Sequence, residues 1–114
     1  MTRTLTRRER VRRRPEFLRV QHGGVRTRGR YLTLFALPND QDVSRLGVIA
    51  TRRLGNAATR NRSKRLVREL FRLNKSRAGV DLVVLPRPGF AATAFTILQA
   101  DYRSALNRYE RPHA

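Results

Sequence analysis

Apolar positions along the chain fall into two patterns, one typical of strands and one typical of helices. Short, largely apolar runs predict four strands, at residues 25–28, 31–37, 45–51 and 81–85. Apolar residues at helical spacing predict three helices, one starting at Pro15, one from residue 57 to about residue 75, and one from about residue 93 to residue 109. The order α-β-β-β-α-β-α indicates a single α+β domain with a mixed four-stranded sheet and one crossover helix.

Arginine dominates the first 14 residues. Seven arginines lie there, and only Glu9 opposes them. Like charges at this density keep a chain extended, so residues 1–14 are predicted to form a flexible basic arm that orders on a polyanion. A solvated tail without a partner is the alternative. The folded domain is then predicted over residues 15–110, with a short tail at residues 111–114.

The predicted helix that starts at residue 57 is basic on one side. Gly55 makes the turn before it, and Asn56 is placed to cap it. At about 100° per residue, Leu66, Leu70 and Leu73 share one arc, with Val67 beside them. A second arc carries Arg60, Asn61, Lys64, Arg65, Arg68 and Arg72. The sequence therefore predicts an amphipathic helix with one face in the core and one strongly basic face.

This basic face is predicted to bind the phosphates of a nucleic acid. Between Arg52 and Arg72, eight basic residues are opposed only by Glu69. A merely solvated helix face normally alternates acidic and basic residues, which this segment does not. Residues one turn apart on a helix are about 5–6 Å apart, a spacing that can straddle phosphates. Arg52 and Arg53 lie directly before the turn and extend the basic patch.

The composition points to the same partner. Lys and Arg number 26 against 8 Asp and Glu, so the formal net charge is +18, which favours a nucleic acid. Arginine outnumbers lysine by 24 to 2; this suits bidentate phosphate contacts, although a GC-rich gene would produce the same bias. The absence of cysteine excludes disulfides and thiolate zinc sites. No apolar run approaches the roughly 20 residues that span a membrane, so we expect a cytoplasmic protein without a membrane partner.

No set of residues predicts catalysis by the protein itself. The chain has two histidines, His22 and His113, and its acidic residues are scattered. Neither a nucleophile with its base nor a phosphate-binding glycine motif stands out. Phe17, Tyr31 and Phe35 are candidates either for stacking on unpaired bases or for the core. Binding is therefore the predicted function, and no catalytic or metal-binding residue is assigned.

The basic segment also resembles a known family. Its residues are Arg52-Arg53-Leu54-Gly55-Asn56-Ala57-Ala58, then Arg60-Asn61-Arg62, Lys64-Arg65-Leu66 and Arg68-Glu69. This pattern closely resembles the signature of the bacterial ribonuclease P protein subunit. Residues 12–17, 22–24 and 81–88 are similar to that family too, and the resemblance covers roughly residues 11–109.

The resemblance implies a fold and a function. It implies a left-handed crossover around the basic helix, where physical principles alone favour a right-handed one. It implies an accessory, non-catalytic subunit of an endoribonuclease, whose catalytic RNA uses Mg²⁺ to remove the 5′ leader from precursor tRNA. The protein would bind no Mg²⁺ tightly itself and would need no other protein as an obligatory partner.

The resemblance also implies site residues. Contact with the catalytic RNA is expected at Arg60, Asn61, Arg62, Lys64, Arg65 and Arg68. Contact with the leader of precursor tRNA, in a cleft between the first helix and the sheet, is expected at Phe17, Phe35, Arg52, Arg53 and Arg87. The chain departs from the family at Gln21, where a second aromatic residue is common, so leader binding is expected to be weaker or differently distributed.

Two other interpretations remain open from the sequence. A small ribosomal protein would share the size, the charge and the basic arm, but its role with ribosomal RNA would be purely structural. A DNA-binding helical module is the third class, and the predicted strands and the missing short helix-turn-helix argue against it.

Overall fold

The structure is a computed structural model that describes residues 5–110. Its helices are α1 (Arg14–Gly23), α2 (Ala57–Leu73) and α3 (Phe95–Glu110). Its strands are β1 (Val25–Arg28), β2 (Leu32–Pro38), β3 (Arg45–Val48) and β4 (Val80–Pro86). The predicted order of elements is therefore confirmed. The tail predicted at residues 111–114 lies outside the described residues.

The four strands form one mixed sheet in the spatial order β1-β2-β4-β3. Strand β2 pairs antiparallel with β1 and with β4, whereas β3 and β4 are parallel. Parallel strands cannot be joined by a tight turn, and α2 makes the connection from β3 to β4. The basic helix is thus the crossover that the sequence predicts. The left hand implied by the resemblance stays a prediction.

One face of the sheet forms the core together with α2 and α3. Side chains alternate along a strand, so Leu34 and Ala36 of β2 share this face and pair in register with Val84 and Leu82 of β4. The helix residues buried against it are Val67, Leu70 and Phe71 of α2 and Leu98, Tyr102, Ala105 and Leu106 of α3. The opposite face of the sheet is left for α1.

The first helix begins and ends at residues suited to those positions. Pro15 lies in its first turn, and the Glu16 carboxylate accepts a hydrogen bond from the backbone N–H of Arg13 at 3.1 Å. The N–H of Gly24 donates to the Val20 carbonyl at 2.9 Å and closes the last turn. Val20, on the side of α1 that faces the sheet, is fully buried. The two hydrogen bonds set the ends of α1, and burial of Val20 holds the helix on the sheet face opposite α2 and α3.

Residues 5–13 lie along the domain, although the charge pattern predicts a flexible arm over residues 1–14. The N–H of Val11 donates to the Leu46 carbonyl at 2.9 Å, and Arg10 forms a parallel bridge with Leu46. Leu5 and Val11 are both buried. These apolar side chains hold the segment on the open edge of β3, whereas the prediction of a flexible arm rests on charge alone. Residues 1–4 lie outside the described residues, and further ordering of the arm on RNA stays a prediction.

Candidate nucleic-acid interface

The start of α2 is fixed by a turn and a cap. Gly55 has a φ of 129°, a conformation that side chains other than glycine disfavour. The Asn56 side chain then accepts a hydrogen bond from the Thr59 N–H at 2.9 Å, which satisfies a free donor of the first turn. Because the first residue of the helix is fixed, the direction of every basic side chain along α2 is fixed as well.

The buried face of α2 differs slightly from the predicted one. Val67 and Leu70 are fully buried, as predicted, and Phe71 and Ser63 join them. Leu66 packs against the edge of the core. The prediction of Leu73 as a core residue is wrong, because its side chain is 51% exposed. Phe71, which lies about 160° around the helix from Leu73, takes the place in the core instead.

The six residues expected to contact the catalytic RNA do not form one surface. Asn61 and Arg65 are exposed on the outer side of α2. Lys64 and Arg68 line a cavity between α2, β3 and the segment of residues 5–12. Arg60 folds back, and its guanidinium donates to the Gly55 carbonyl at 2.9 Å. Arg62 lies apart from the others, since its Nε donates to the Ala91 carbonyl at 3.1 Å.

A cleft runs beside α1 and brings two predicted site residues together. It has a volume of about 520 Å³, and Phe17, Gln21, Ile49 and Lys64 are among the residues that line it. A smaller cavity of about 240 Å³ adjoins it, and both share Arg12, Phe17 and Lys64. Lys64, assigned to the catalytic RNA, and Phe17, assigned to the leader, therefore belong to one continuous surface.

Phe17 is half-buried and lies directly over β3. A Cβ added at Gly47 would stand 2.5 Å from Cε1 of the Phe17 ring, closer than real Cβ atoms approach. The ring thus packs against the bare backbone of β3 while another part of it lines the cleft. From the sequence alone, Phe17 is a candidate both for the core and for a stacking site. Its position at the rim of the cleft is compatible with stacking.

Positive charge is crowded into the smaller cavity. Its lining includes Arg10, Arg12, Lys64 and Arg68 and, within the described part of the chain, no carboxylate. Partial burial and the nearby charge of Arg10 lower the pKa of Arg68. The Nε of Arg10 is buried and has no hydrogen-bond partner among residues 5–110. Unneutralised cations around a cavity form a site for an anionic group such as a phosphate.

The other residues expected to contact the leader lie outside this cavity. Phe35 is half-buried on β2, on the sheet face that also carries α1. Arg52 and Arg53 are exposed on the short 3₁₀ turn before α2. Arg87 follows β4, and its guanidinium donates to the Gly29 carbonyl at 3.2 Å. The expected leader set is therefore spread along the sheet rather than gathered around Phe17.

A buried ion-pair network holds α1 in position beside the cleft. Asp81 of β4 is fully buried and accepts hydrogen bonds from Arg45 at 2.6 and 2.8 Å and from the Asn39 amide at 2.8 Å. Arg45 also donates to Glu16 at 2.9 Å. Because Glu16 directly precedes Phe17 on α1, the network links the sheet to the residue that lines the cleft.

The network shifts the pKa values of Arg45, at its centre, and of Glu16, at its end on α1. The hydrogen bonds to Asp81 and Glu16 raise the pKa of Arg45 further above its usual value. Burial alone would raise the pKa of Glu16, but hydrogen bonds from the Arg13 backbone and the Arg45 side chain lower it to about 2. Glu16 therefore stays ionised, and its bond to Arg45 persists, across the ordinary pH range.

The described residues offer no evident metal centre. Within residues 5–110, no group of three or more His, Cys, Asp or Glu side chains is placed to hold a metal ion. In the same range, no helix is both long and apolar enough to cross a membrane. What the geometry provides is an aromatic ring, a cleft and a dense set of guanidinium groups.

A match to a known protein family identifies the family of this chain. The family model described as Ribonuclease P matches residues 5–110, which is the whole described part of the chain. The chain belongs to the ribonuclease P protein family.

Individual relatives in this family are similar over most of their length. The ribonuclease P protein component of Desulfatibacillum aliphaticivorans is 40% identical over 105 residues, which cover 90% of this chain and 89% of the relative. That of Syntrophus aciditrophicus is 43% identical over 86 residues, covering 74% and 72%. The solved RNase P protein of Thermotoga maritima superposes with a TM-score of 0.80 at 35% identity, covering 90% of this chain and 98% of that one.

Membership in the ribonuclease P protein family confirms the resemblance and the fold class. The roles of individual residues stay predictions. Two arginines of the cavity, Arg10 and Arg12, were not among the site residues expected from the sequence. Both arginines belong to the basic stretch of residues 1–14 that the sequence shows. Their position beside α2 depends on how Val11 pairs with β3, which the sequence does not show. Gly47, which makes room for Phe17, lies inside the strand predicted at residues 45–51, and nothing in the sequence marked it as a contact of Phe17.

Proposed function

We propose that this protein is the accessory subunit of ribonuclease P, which binds the catalytic RNA and holds the single-stranded 5′ leader of precursor tRNA. The observation that carries the proposal is the surface formed by the cleft beside α1 and the adjoining cavity, where Phe17 lies among five cations and no carboxylate within the described residues. Single-stranded RNA suits such a site, because bases stack on an aromatic ring while guanidinium groups track the phosphates. The location expected for this function is the cytoplasm.

The two RNA contacts would meet at α2. Asn61 and Arg65 face outward, where the catalytic RNA can approach, and Lys64 faces the cleft. Arg68 and Arg10 face the adjoining cavity, where a phosphate would relieve their mutual repulsion. A protein built in this way would contact the catalytic RNA and its substrate at once.

The hydrolysis itself would belong to the RNA partner and its bound Mg²⁺. The contribution of the protein is to neutralise phosphates and to position the leader. Since each arginine at a phosphate replaces counterions, the complex should need less Mg²⁺ than the RNA alone.

A cleavage assay tests the proposal. Precursor tRNA is incubated with the protein, with the matching catalytic RNA, or with both, over a series of Mg²⁺ concentrations. We expect no cleavage by the protein alone and a lower Mg²⁺ requirement for the complex than for the RNA. Cleavage by the pure protein would contradict the proposal, as would a complex whose Mg²⁺ requirement equals that of the RNA. The latter outcome would favour a structural role such as that of a ribosomal protein.

Removing or displacing the Phe17 ring should weaken binding of precursor tRNA selectively. Phe17→Ala removes the ring, and Gly47→Ala introduces a methyl group that overlaps it. If the ring stacks on a leader base, Phe17→Ala should cost about 1–3 kcal/mol, or roughly tenfold to a hundredfold in affinity. Gly47→Ala should shift the affinity in the same direction. Mature tRNA, which lacks the leader, should bind each variant complex as it binds wild type.

The control for these variants is Ile97→Ala, which shortens an apolar side chain that is 48% exposed on α3. It should leave binding of both tRNAs unchanged. Equal losses for precursor and mature tRNA, together with a lower melting temperature of Phe17→Ala, would assign Phe17 to the core instead of the leader site.

A further inference from the structure

The sheet face that carries α1 continues beyond the cleft to the edge strand β1. In the antiparallel pairing of β1 with β2, Arg26 lies directly opposite Phe35, and Arg28 lies opposite Thr33. Directly opposed residues share a face, with Cβ atoms about 4.5–5.5 Å apart. Arg26 and Arg28 therefore flank Phe35 and Thr33 on the same side of the sheet as Phe17.

Helix α1 leaves this end of the face uncovered. It meets the sheet at Gly47, where Phe17 lies, and a Cβ added at Gly23 would stand 3.8 Å from the Leu37 side chain. It also contacts Asp81, which is the register partner of Leu37, through Arg19. Arg26 and Arg28 lie farther along β1, away from these contacts, and both are exposed.

The two arginines are free for a ligand. Within residues 5–110, neither side chain takes part in a hydrogen bond or an ion pair, although Arg8, Arg19, Arg45 and Arg72 all pair with acids. The carboxylate near this corner, Asp101, accepts from the backbone N–H groups of Arg30 and Tyr31 at 2.9 and 2.8 Å. Positive charge on this edge is therefore not neutralised by the protein.

Two further guanidinium groups reach the same edge from neighbouring elements. Arg87 donates to the Gly29 carbonyl at 3.2 Å, and Arg108 donates to the Arg28 carbonyl at 2.7 Å. Both bonds use backbone acceptors, so the charge of each group remains available. From β3 to β1 the sheet spans three strand spacings, about 14 Å, which a few nucleotides of extended RNA can cross.

We propose that Arg26 and Arg28 bind phosphates of the part of the leader that extends past the cleft, so that β1 prolongs the leader-binding surface. This inference rests on the proposed function. Guanidinium groups bind phosphate oxygens in bidentate fashion irrespective of base, and β1 itself, Val25–Arg28, carries no aromatic residue. The contact should therefore sense the length of the leader and not its sequence.

The test measures the affinity of the assembled complex, wild type or variant, for precursor tRNAs whose leaders lengthen one nucleotide at a time. With the wild-type protein, affinity should rise once when the leader reaches the cleft at Phe17, and a second time when it is long enough to pass Phe35. Arg26→Gln and Arg28→Gln should each lower the affinity for long leaders about threefold. Each should also reduce the slope of log affinity against log salt for long leaders by about 0.7. Short leaders should bind these variants as they bind wild type.

Two controls accompany the series. Arg103→Gln removes an equal charge from an exposed site on α3, which covers the other face of the sheet, and should change nothing. Arg26→Lys keeps the charge and should retain most of the gain.

Three results would overturn the inference. Unchanged affinity for long leaders would do so, and so would equal losses for short and long leaders. If the wild-type complex fails to prefer precursor over mature tRNA, the proposed function itself fails and this inference fails with it. A wild-type preference that the β1 variants leave intact would overturn only the inference.

Discussion

The protein variant Lys64→Gln/Arg68→Gln should bind the catalytic RNA about 100-fold more weakly than the wild-type protein does. A hydrogen bond to a charged group contributes about 1.5–3 kcal/mol, so two lost contacts correspond to about 3 kcal/mol or more. The slope of log affinity against log salt should also fall by nearly two units, since each phosphate contact on duplex-like RNA contributes about 0.9. Filter binding over a salt series measures both quantities.

The free variant should be at least as stable as the wild-type protein. The charge of Arg68 lies close enough to that of Arg10 to lower the pKa of Arg68, and their repulsion disfavours the folded state. A matched control is Lys75→Gln/Arg103→Gln, which removes one lysine and one arginine from exposed positions away from the cavity. The control should retain nearly all of the affinity. An equal loss in both double variants would show that only net charge matters and that the cavity has no special role.

The second large effect is expected on folding, from Asp81→Asn. Asp81 is fully buried and is the main acceptor for Arg45, whose side chain is only 14% exposed. Breaking a buried pair by neutralising one partner typically costs about 3–5 kcal/mol, because the other charge stays buried. That is a large part of the 5–15 kcal/mol that stabilises a domain of ordinary size. Urea denaturation of the free protein should show the loss directly.

The exposed pair of Arg8 and Asp42 supplies the control for this variant. Its two side chains are 70% and 83% exposed, so Asp42→Asn should cost at most about 1 kcal/mol. Binding of the catalytic RNA should partly restore the folded state of Asp81→Asn, since a ligand of the folded form stabilises it by mass action. A loss for Asp81→Asn no larger than that for Asp42→Asn would mean that the network does not anchor α1.

The elements could be predicted because their boundaries depend on local chemistry. Pro15 and Glu16 at one helix start, and Asn56 at another, act within a few residues of themselves. The strand predicted to reach residue 51 ends at Val48, although the Ile49 N–H still donates to Val84. The residue at which β3 ends depends on the turn into α2, and the spacing of apolar residues does not predict that turn.

The site was only partly predictable because its assembly is tertiary. A helical wheel places Arg62 outside the basic arc of α2 but does not reveal the Ala91 carbonyl that binds its guanidinium. Charge alone does not reveal that Val11 pairs with Leu46 and so brings Arg10 beside Arg68. The left hand of the crossover likewise stays a prediction from the resemblance alone, since the general rule favours the right hand.

The absence of cysteine permits the most direct measurement of the central claim, that one protein holds the leader and the catalytic RNA on adjoining surfaces. A photo-crosslinking probe is attached to a single cysteine introduced as Gln21→Cys in the cleft, as Arg65→Cys on the outer side of α2, or as Ser104→Cys on exposed α3. In the complex with precursor tRNA, the probe at residue 21 should crosslink to the leader and the probe at residue 65 to the catalytic RNA, while the probe at residue 104 should give neither product. A probe at residue 21 that never reaches the leader would contradict the account.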